Sequence, residues 1–300
     1  MAIQDQDWVD RTEYPFADHY LHLPMGRLHY VDEGRGHPIL MVHGTPEWSF
    51  GYRYLIKGLA QKYRCIAADH LGFGLSSKPA SWTFLPEEHA DNLAQLIAYL
   101  NLRNFTLVAH DYGGPIGLAY AVRHPENIHS LVLMNTWMWS LNHDPHFTGT
   151  KLFAGAFGRF LYERMAFSAR VMLPSAMGDR STFTRSIFQQ YLKAWRTAEE
   201  RHGTWVFARE LLGSSAWYES LWERRDALQS IPALILWGLK DWAFRPVELE
   251  KLKTIFRQPQ VETFENTGHF VTEELGEKLP PLIDDYIKTT EKNLTADKSG

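Results

Sequence analysis

The chain has 300 residues, of which 45% are hydrophobic and 14% aromatic, enough for one large domain with an insertion or for two units sharing a core. Its net charge of -4 provides no electrostatic footprint for nucleic acid, and its single cysteine, Cys65 in the apolar run "RCIAADH", excludes internal disulfides and cysteine-rich metal sites. The start, "MAIQDQDWVDRTEYPF", lacks the apolar run of a signal peptide, and no segment approaches the roughly 18 apolar residues of a membrane span, so a cytoplasmic protein without membrane or nucleic-acid partners is expected.

In chain order, "HYLHL" and "RLHYVDE" alternate apolar and polar residues on either side of Pro24 and Gly26, which predicts an opening hairpin. The runs "PILMVHG" (38–44), "RCIAADH" (64–70), "FTLVAHD" (105–111), "HSLVLMN" (129–135) and "PALILWG" (232–238) are continuous and apolar, as parallel strands buried on both faces should be. Between them lie amphipathic segments such as "PEEHADNLAQLIAYLNL", with Pro86 and two glutamates in the first turn. This alternation predicts an α/β, mostly parallel, doubly wound sheet. Residues 137–229 keep helical periodicity without a strand and are dense in aromatics, which predicts an inserted helical cap. The expected layout is a core of residues 1–136 and 230–290, a cap of 137–229 and a flexible polar tail of 291–300.

The stretch "LVAHDYGGPIG" runs from a buried strand through a sharp turn into a helix, with Asp111 at the bend. Such a turn lifts its residue off the sheet and needs small neighbours, here Ala109 and Gly113. A carboxylate beside a helix N-terminus stays ionised and needs no base to activate it. At an ester or amide carbonyl its attack would give an anhydride and gain nothing. At a saturated carbon it displaces a leaving group and leaves an alkyl ester, hydrolysable at the carboxyl carbon. Carbon–halogen bonds and epoxides are the obvious targets.

Hydrolysis of that ester needs a water, a base and an oxyanion hole. "FENTGHF" offers His269 after the terminal strand and "LWGLKDW" offers Asp241 after the preceding one, so nucleophile, acid and base follow in the order Asp111, Asp241, His269. Asp241 would orient the imidazole of His269 and stabilise its cation. The backbone N–H groups of Tyr112 and of Thr45, in "VHGTPEW", are candidates for the oxyanion hole.

With these residues in place, the chain resembles the haloalkane dehalogenases of the α/β-hydrolase superfamily, relatives of the epoxide hydrolases, over about residues 15–290. The carriers are "HGTPEWSFGYR", "DHLGFGLSSKP", "HDYGGPIGL", "LVLMNTWMW", "WGLKDWAF" and "NTGHF". The resemblance implies an α/β-hydrolase fold with a helical cap, an aspartate nucleophile, and hydrolysis of haloalkanes to alcohols without metal or cofactor, on a small apolar substrate and water, in a monomer. It allows the acid after either the sixth or the seventh strand; Asn135 ends the sixth, which leaves Asp241. Similar dehalogenases carry tryptophan directly after the nucleophile as a halide donor, where this chain has Tyr112, and a common second donor is an asparagine where this chain has Thr45. Some take a donor from a cap tryptophan, for which Trp139, Trp195 and Trp205 are candidates here. Epoxide hydrolases use two cap tyrosines, with Tyr162, Tyr191 and Tyr218 available, and favour a glutamate in the position of Glu47.

Plainer readings stand beside these. Asp111 or Asp241 could be a helix cap, His269 could be structural, and His43 is structural in this reading. The cap aromatics are first of all core material. "GFG" (72–74) lacks a third glycine for a nucleotide loop, and "HDPH" (143–146) reads as a loop without a metal cluster. A catalytically silent binding module is the alternative outside enzymes, disfavoured because Asp111, Asp241 and His269 are all present.

Overall fold

The computed structural model describes residues 6–296. Eight strands form one sheet in the order β1-β2-β4-β3-β5-β6-β7-β8. β1 (His19–Leu23) and β2 (Gly26–Gly34) make the expected hairpin, and β2 joins β4 antiparallel. β3 (Pro38–Val42), β4 (Arg64–Ala68), β5 (Phe105–Asp111), β6 (Ile128–Thr136), β7 (Ala233–Gly238) and β8 (Gln260–Phe264) are mutually parallel. Every residue of β5, β6 and β7 is buried, which accounts for their unbroken apolar runs. β8 is an edge strand and is partly exposed.

Helices cover both faces, as right-handed crossovers require. Before β6 come α1 (Arg53–Leu59), α2 (Pro86–Tyr99) and the wholly buried α3 (Gly113–Ala121). α2 starts with Pro86 at its first turn followed by Glu87 and Glu88, which suits both the missing proline N–H and the helix dipole. Between β6 and β7 the described chain contains helices and turns only: α4 (Ala156–Met165), α5 (Leu173–Ser175), α6 (Arg185–Lys193), α7 (His202–Gly213) and α8 (Ser215–Glu223), with 3-10 and π turns between. α9 (Pro246–Lys253), α10 (Val271–Leu275) and α11 (Leu279–Ala296) complete the chain. α11 carries helix through residues 291–296 of the segment expected to be a flexible tail, and residues 297–300 of that tail lie outside the described residues. The "HDPH" segment is also more ordered than the expected loop: Asp144 caps a 3-10 helix over Pro145–Phe153 by accepting from the His146 N–H at 2.9 Å.

The six parallel strands all end on one edge of the sheet. Thr45 follows β3, Asp111 ends β5, Asn135 lies at the end of β6, Asp241 follows β7 and His269 follows β8. Ligands of open α/β sheets bind beyond the carboxyl ends of the strands, and here the helices between β6 and β7 roof that edge.

Candidate active site

Asp111 has φ +50°, a left-handed conformation that non-glycine residues seldom adopt and that the surrounding structure must hold. The hold is visible: the Thr136 hydroxyl donates to the Asp111 carbonyl at 2.6 Å, and a Cβ on Gly113 would collide with the Val42 carbonyl. Gly44 is equally constrained, because a Cβ there would meet the Asp111 carboxylate. The glycines of the elbow and of the β3 loop are therefore spacing requirements.

The two carboxylate oxygens of Asp111 have different neighbours. Oδ1 accepts the Thr45 backbone N–H at 2.9 Å, and the Tyr112 backbone N–H also bonds the carboxylate. Oδ2 lies 3.4 Å from Nε2 of His269. On its other side, His269 Nδ1 donates to Asp241 Oδ2 at 2.7 Å. Burial alone would raise the Asp111 carboxyl, but the hydrogen bond and charge of His269, then His110 and the Tyr112 N–H, hold it below the ordinary carboxylate range. Burial would likewise lower His269, yet the charge of Asp241, with hydrogen bonds from the imidazole to Asp111 and Asp241, holds it well above an ordinary histidine. His269 thus lies buried between two carboxyl groups whose placement favours its protonated form.

Supporting contacts that the sequence reading missed fix this line. Asn135, considered there only as an acid that could not serve, donates from Nδ2 to Asp241 Oδ2 at 2.9 Å and accepts the Gly238 N–H at 2.9 Å. The Ala243 N–H donates to Asp241 Oδ1 at 2.7 Å. His110, one residue before the elbow, donates from Nε2 to the His269 carbonyl at 2.8 Å, while its Nδ1 is 2.6 Å from Glu47. Glu47 is thereby a buried partner of His110. Behind His269, the fully buried Arg53 of α1 forms a two-point pair with Glu273 of α10, which also receives the Tyr191 hydroxyl. Removing one member of such a pair leaves a buried charge uncompensated, so this pair anchors α10.

A cavity of about 480 Å³ opens above Asp111. Its walls are mainly apolar, with Phe147, Phe153, Met172, Phe207, Leu211 and Phe244 prominent, and Thr45, Asp111, Tyr112 and His269 at its base. A pocket of this size and lining suits a small apolar ligand.

The leaving-group candidates fare less well than the triad. Tyr112 lines the cavity, but its hydroxyl donates to the Phe207 carbonyl and its ring stacks on Phe207 at 4.3 Å between centroids, so the hydroxyl is not free for a halide. Trp195 donates its indole N–H to the Gly72 carbonyl at 2.8 Å and Trp205 donates to the Phe153 carbonyl at 2.9 Å. Trp139 packs against Trp222 and Lys251. None of these three tryptophans lines the cavity, which corrects the expectation of a cap indole donor. Thr45 differs: the residue lines the cavity, and its hydroxyl is buried without a hydrogen-bond partner. Of the three cap tyrosines, Tyr162 alone reaches the cavity; Tyr191 is committed to Glu273 and Tyr218 to the Glu210 carbonyl.

The described residues contain no group of three or more His, Cys, Asp or Glu arranged to hold a metal, and no helix long and apolar enough to cross a membrane. What remains is a sheet-edge triad with an elbow carboxylate and two backbone donors, the layout of an α/β hydrolase. The sequence profile of the alpha/beta hydrolase fold matches residues 37–274, and the chain belongs to that family.

Within it, the chain is 31% identical over 276 residues to haloalkane dehalogenase 2 of Mycobacterium tuberculosis, covering 91% of this chain and 96% of that protein. It is 33% identical over 297 residues to the cis-3-alkyl-4-alkyloxetan-2-one decarboxylase of Shewanella oneidensis, covering 93% and 91%. Identity to epoxide hydrolase 1 of Caenorhabditis elegans is 26%, over 90% of this chain and 69% of that one. In fold, it superposes on the haloalkane dehalogenase DbeA from Bradyrhizobium elkanii with a TM-score of 0.83 at 22% identity, over 93% of this chain and 99% of that one.

Proposed function

We propose that the protein is a hydrolase that alkylates Asp111 and then hydrolyses the ester, with haloalkanes as substrates and alcohols as products. The observation that carries this reading is the unequal environment of the two Asp111 oxygens. Oδ1 accepts the Thr45 backbone N–H, the Tyr112 backbone N–H also bonds the carboxylate, and Oδ2 lies beside His269 at the base of the cavity. Oδ2 is then the attacking atom: it forms a C–O bond to the saturated carbon as the carbon–halogen bond breaks, and halide leaves with the electron pair.

The ester so formed keeps its carbonyl oxygen, Oδ1, on the Thr45 N–H, with the Tyr112 N–H also bonding the group. Water adds to Cγ, its proton passes to Nε2 of His269, and the oxyanion develops on Oδ1 where those donors already point. Collapse breaks the Cγ–Oδ2 bond, His269 gives its proton to the departing alkoxide to release the alcohol, and the carboxyl group left on Asp111 passes its proton back to His269, which restores the carboxylate. Alkylation also prepares the base. It removes the Asp111 charge that favours a protonated His269, so the imidazole releases its proton to solvent along with the halide and reaches the neutral form that the second step needs, with Asp241 stabilising the cation as it re-forms.

The apolar cavity favours a small uncharged alkyl group, and the base-and-water chemistry needs neither metal nor cofactor. In the same reading the protein works in the cytoplasm as a monomer. The Tyr112 hydroxyl is bound to the Phe207 carbonyl and the Thr45 hydroxyl, though unpartnered, is buried, so halide departure has little help and bromide or iodide, the weaker bases, should leave much faster than chloride.

One observation favours a second reading: Tyr162 lines the cavity and its hydroxyl forms no hydrogen bond with another described residue, whereas the one tryptophan among the described lining residues, Trp242, lies exposed at the entrance. A strained oxygen ring carries its own driving force, so the same Asp111 attack would open an epoxide, or an oxetan-2-one of the kind named for the Shewanella relative, with less need of a halide donor. Incubating the protein with matched bromoalkanes, chloroalkanes, epoxides and β-lactones while recording halide, diol and carbon dioxide release decides between them. Halide release from bromides supports the first reading; ring opening without halide release replaces it with the second.

A further inference from the structure

The outer side of the cap carries an unusual run of exposed apolar residues. Leu152 is 70% exposed, Phe157 64%, Phe160 53%, Met165 55% and Val171 47%. In α4 the spacing of Phe157, Phe160 and Arg164 places them on one outward face, while Gly158 and Tyr162 are buried on the other. Single exposed apolar residues are ordinary, but a run of them framed by charge marks an interaction surface.

The charge of that frame points to the partner. Between residues 145 and 198 the sequence has eight Lys or Arg and two Asp or Glu, in a chain whose net charge is -4. Lys151, Arg159, Arg164 and Arg170 stand exposed among the apolar side chains, and of these only Arg159 forms an ion pair among the described residues, with Glu163. A second copy of this chain docked symmetrically here would set one basic face against another. A surface of anionic headgroups above an apolar interior matches both features at once: aromatic side chains reach the acyl boundary while Lys and Arg remain at headgroup level.

The same segment frames the cavity entrance. His146, Gly149 and Trp242 are exposed residues of the cavity lining, with His146 Nε2 donating to the Trp242 carbonyl at 2.8 Å, and Phe153 and Tyr162 line the cavity from the inner side of the segment. We propose that the outer face of the cap, residues 151–171, docks on an anionic phospholipid surface and brings the cavity entrance to the boundary where apolar molecules concentrate. This revises the expectation of no membrane partner, which rested on the lack of a spanning run and says nothing of peripheral contact. The surface argument stands whichever leaving group Asp111 displaces.

The test is flotation of the full chain with vesicles of phosphatidylcholine alone and of phosphatidylcholine mixed with phosphatidylglycerol. Binding to the mixed vesicles should be at least about tenfold stronger than to the neutral ones and should fall as salt rises. The pair Phe157→Ser with Phe160→Ser, and separately Arg164→Glu with Arg170→Glu, should each weaken it by about tenfold or more. Thermal unfolding of each variant is recorded alongside, and if the phenylalanine pair unfolds the protein the arginine pair still decides the matter. Absence of vesicle binding, equal binding to both compositions, or sedimentation as a dimer that the arginine pair dissociates would overturn the proposal, the last by assigning the face to a second copy.

Discussion

Replacing Asp241 by asparagine separates the two chemical steps. Asp241 Oδ2 lies 2.7 Å from His269 Nδ1, and with charge centres about 4 Å apart at an effective dielectric near 20 the pair interacts by about 4 kcal/mol. That interaction is lost from the step in which His269 becomes cationic, and at about 1.4 kcal/mol per tenfold the loss is about 10³ in the rate of ester hydrolysis. Geometry adds to it. The carboxylate accepts from Asn135, Ala243 and His269, so an amide at 241 must turn its NH2 toward one of these donors. Alkylation of Asp111 needs no base, so it should slow by less than about tenfold. The assay is rapid-quench kinetics with a bromoalkane, following halide release and alcohol formation separately, with intact-protein mass to detect the ester. Asp241→Asn should show a halide burst near one per active site followed by slow alcohol release. Alcohol formation within tenfold of the unmodified protein, or equal slowing of both steps in a variant that still unfolds cooperatively, would refute the reasoning.

The remaining expectations concern the leaving group and pH. Tyr112→Phe should leave the bromide-to-chloride ratio of kcat/KM unchanged, because the hydroxyl is bound to the Phe207 carbonyl, while stability falls by about 0.5–1.5 kcal/mol as that hydrogen bond is lost from a carbonyl inside α7. Thr45→Val, which removes the unpartnered hydroxyl, should cost chlorides up to about 10² in kcat/KM and bromides less; equal losses would show that the hydroxyl does not meet the leaving group. The raised pKa of His269 contributes stability that is complete below its unfolded value of about 6.5 and is lost as pH rises through the folded value. The lowered pKa of Asp111 contributes stability present above its unfolded value of about 3.9 and lost as pH falls through the folded one. The Tm deficit of His269→Gln, measured by calorimetry across pH, should therefore be largest between about pH 4 and 6.5 and shrink at higher pH; a deficit that grows with pH contradicts the favoured protonation of His269.

The strands and the elbow were legible because each is written locally. An unbroken apolar run such as "FTLVAHD" admits few structures other than a central strand, and the glycines after Asp111 announce a close approach that the collision of a Gly113 Cβ with the Val42 carbonyl bears out. The chain order of Asp111, Asp241 and His269 carried them to one edge because consecutive parallel strands end there. Side-chain direction was a different matter. A tryptophan in a cap sequence does not say where its N–H points, and Trp195 and Trp205 point to carbonyls at Gly72 and Phe153. Nor could the acceptor of Tyr112, a carbonyl on α7, be read from the residues around the elbow. Asn135 was seen as the wrong residue for an acid, and its place as a donor to Asp241 emerges only when β6 and β7 lie side by side.

The central claim is that Asp111 becomes covalently alkylated. His269→Gln keeps the elbow and the Thr45 N–H donor to Oδ1 but removes the base that hydrolyses the ester. After exposure of this variant to a bromoalkane that the unmodified protein turns over, peptide mapping by mass spectrometry should find the alkyl mass on the peptide carrying Asp111. An unmodified Asp111 peptide under those conditions, or an alkyl mass on a different residue, would contradict the account.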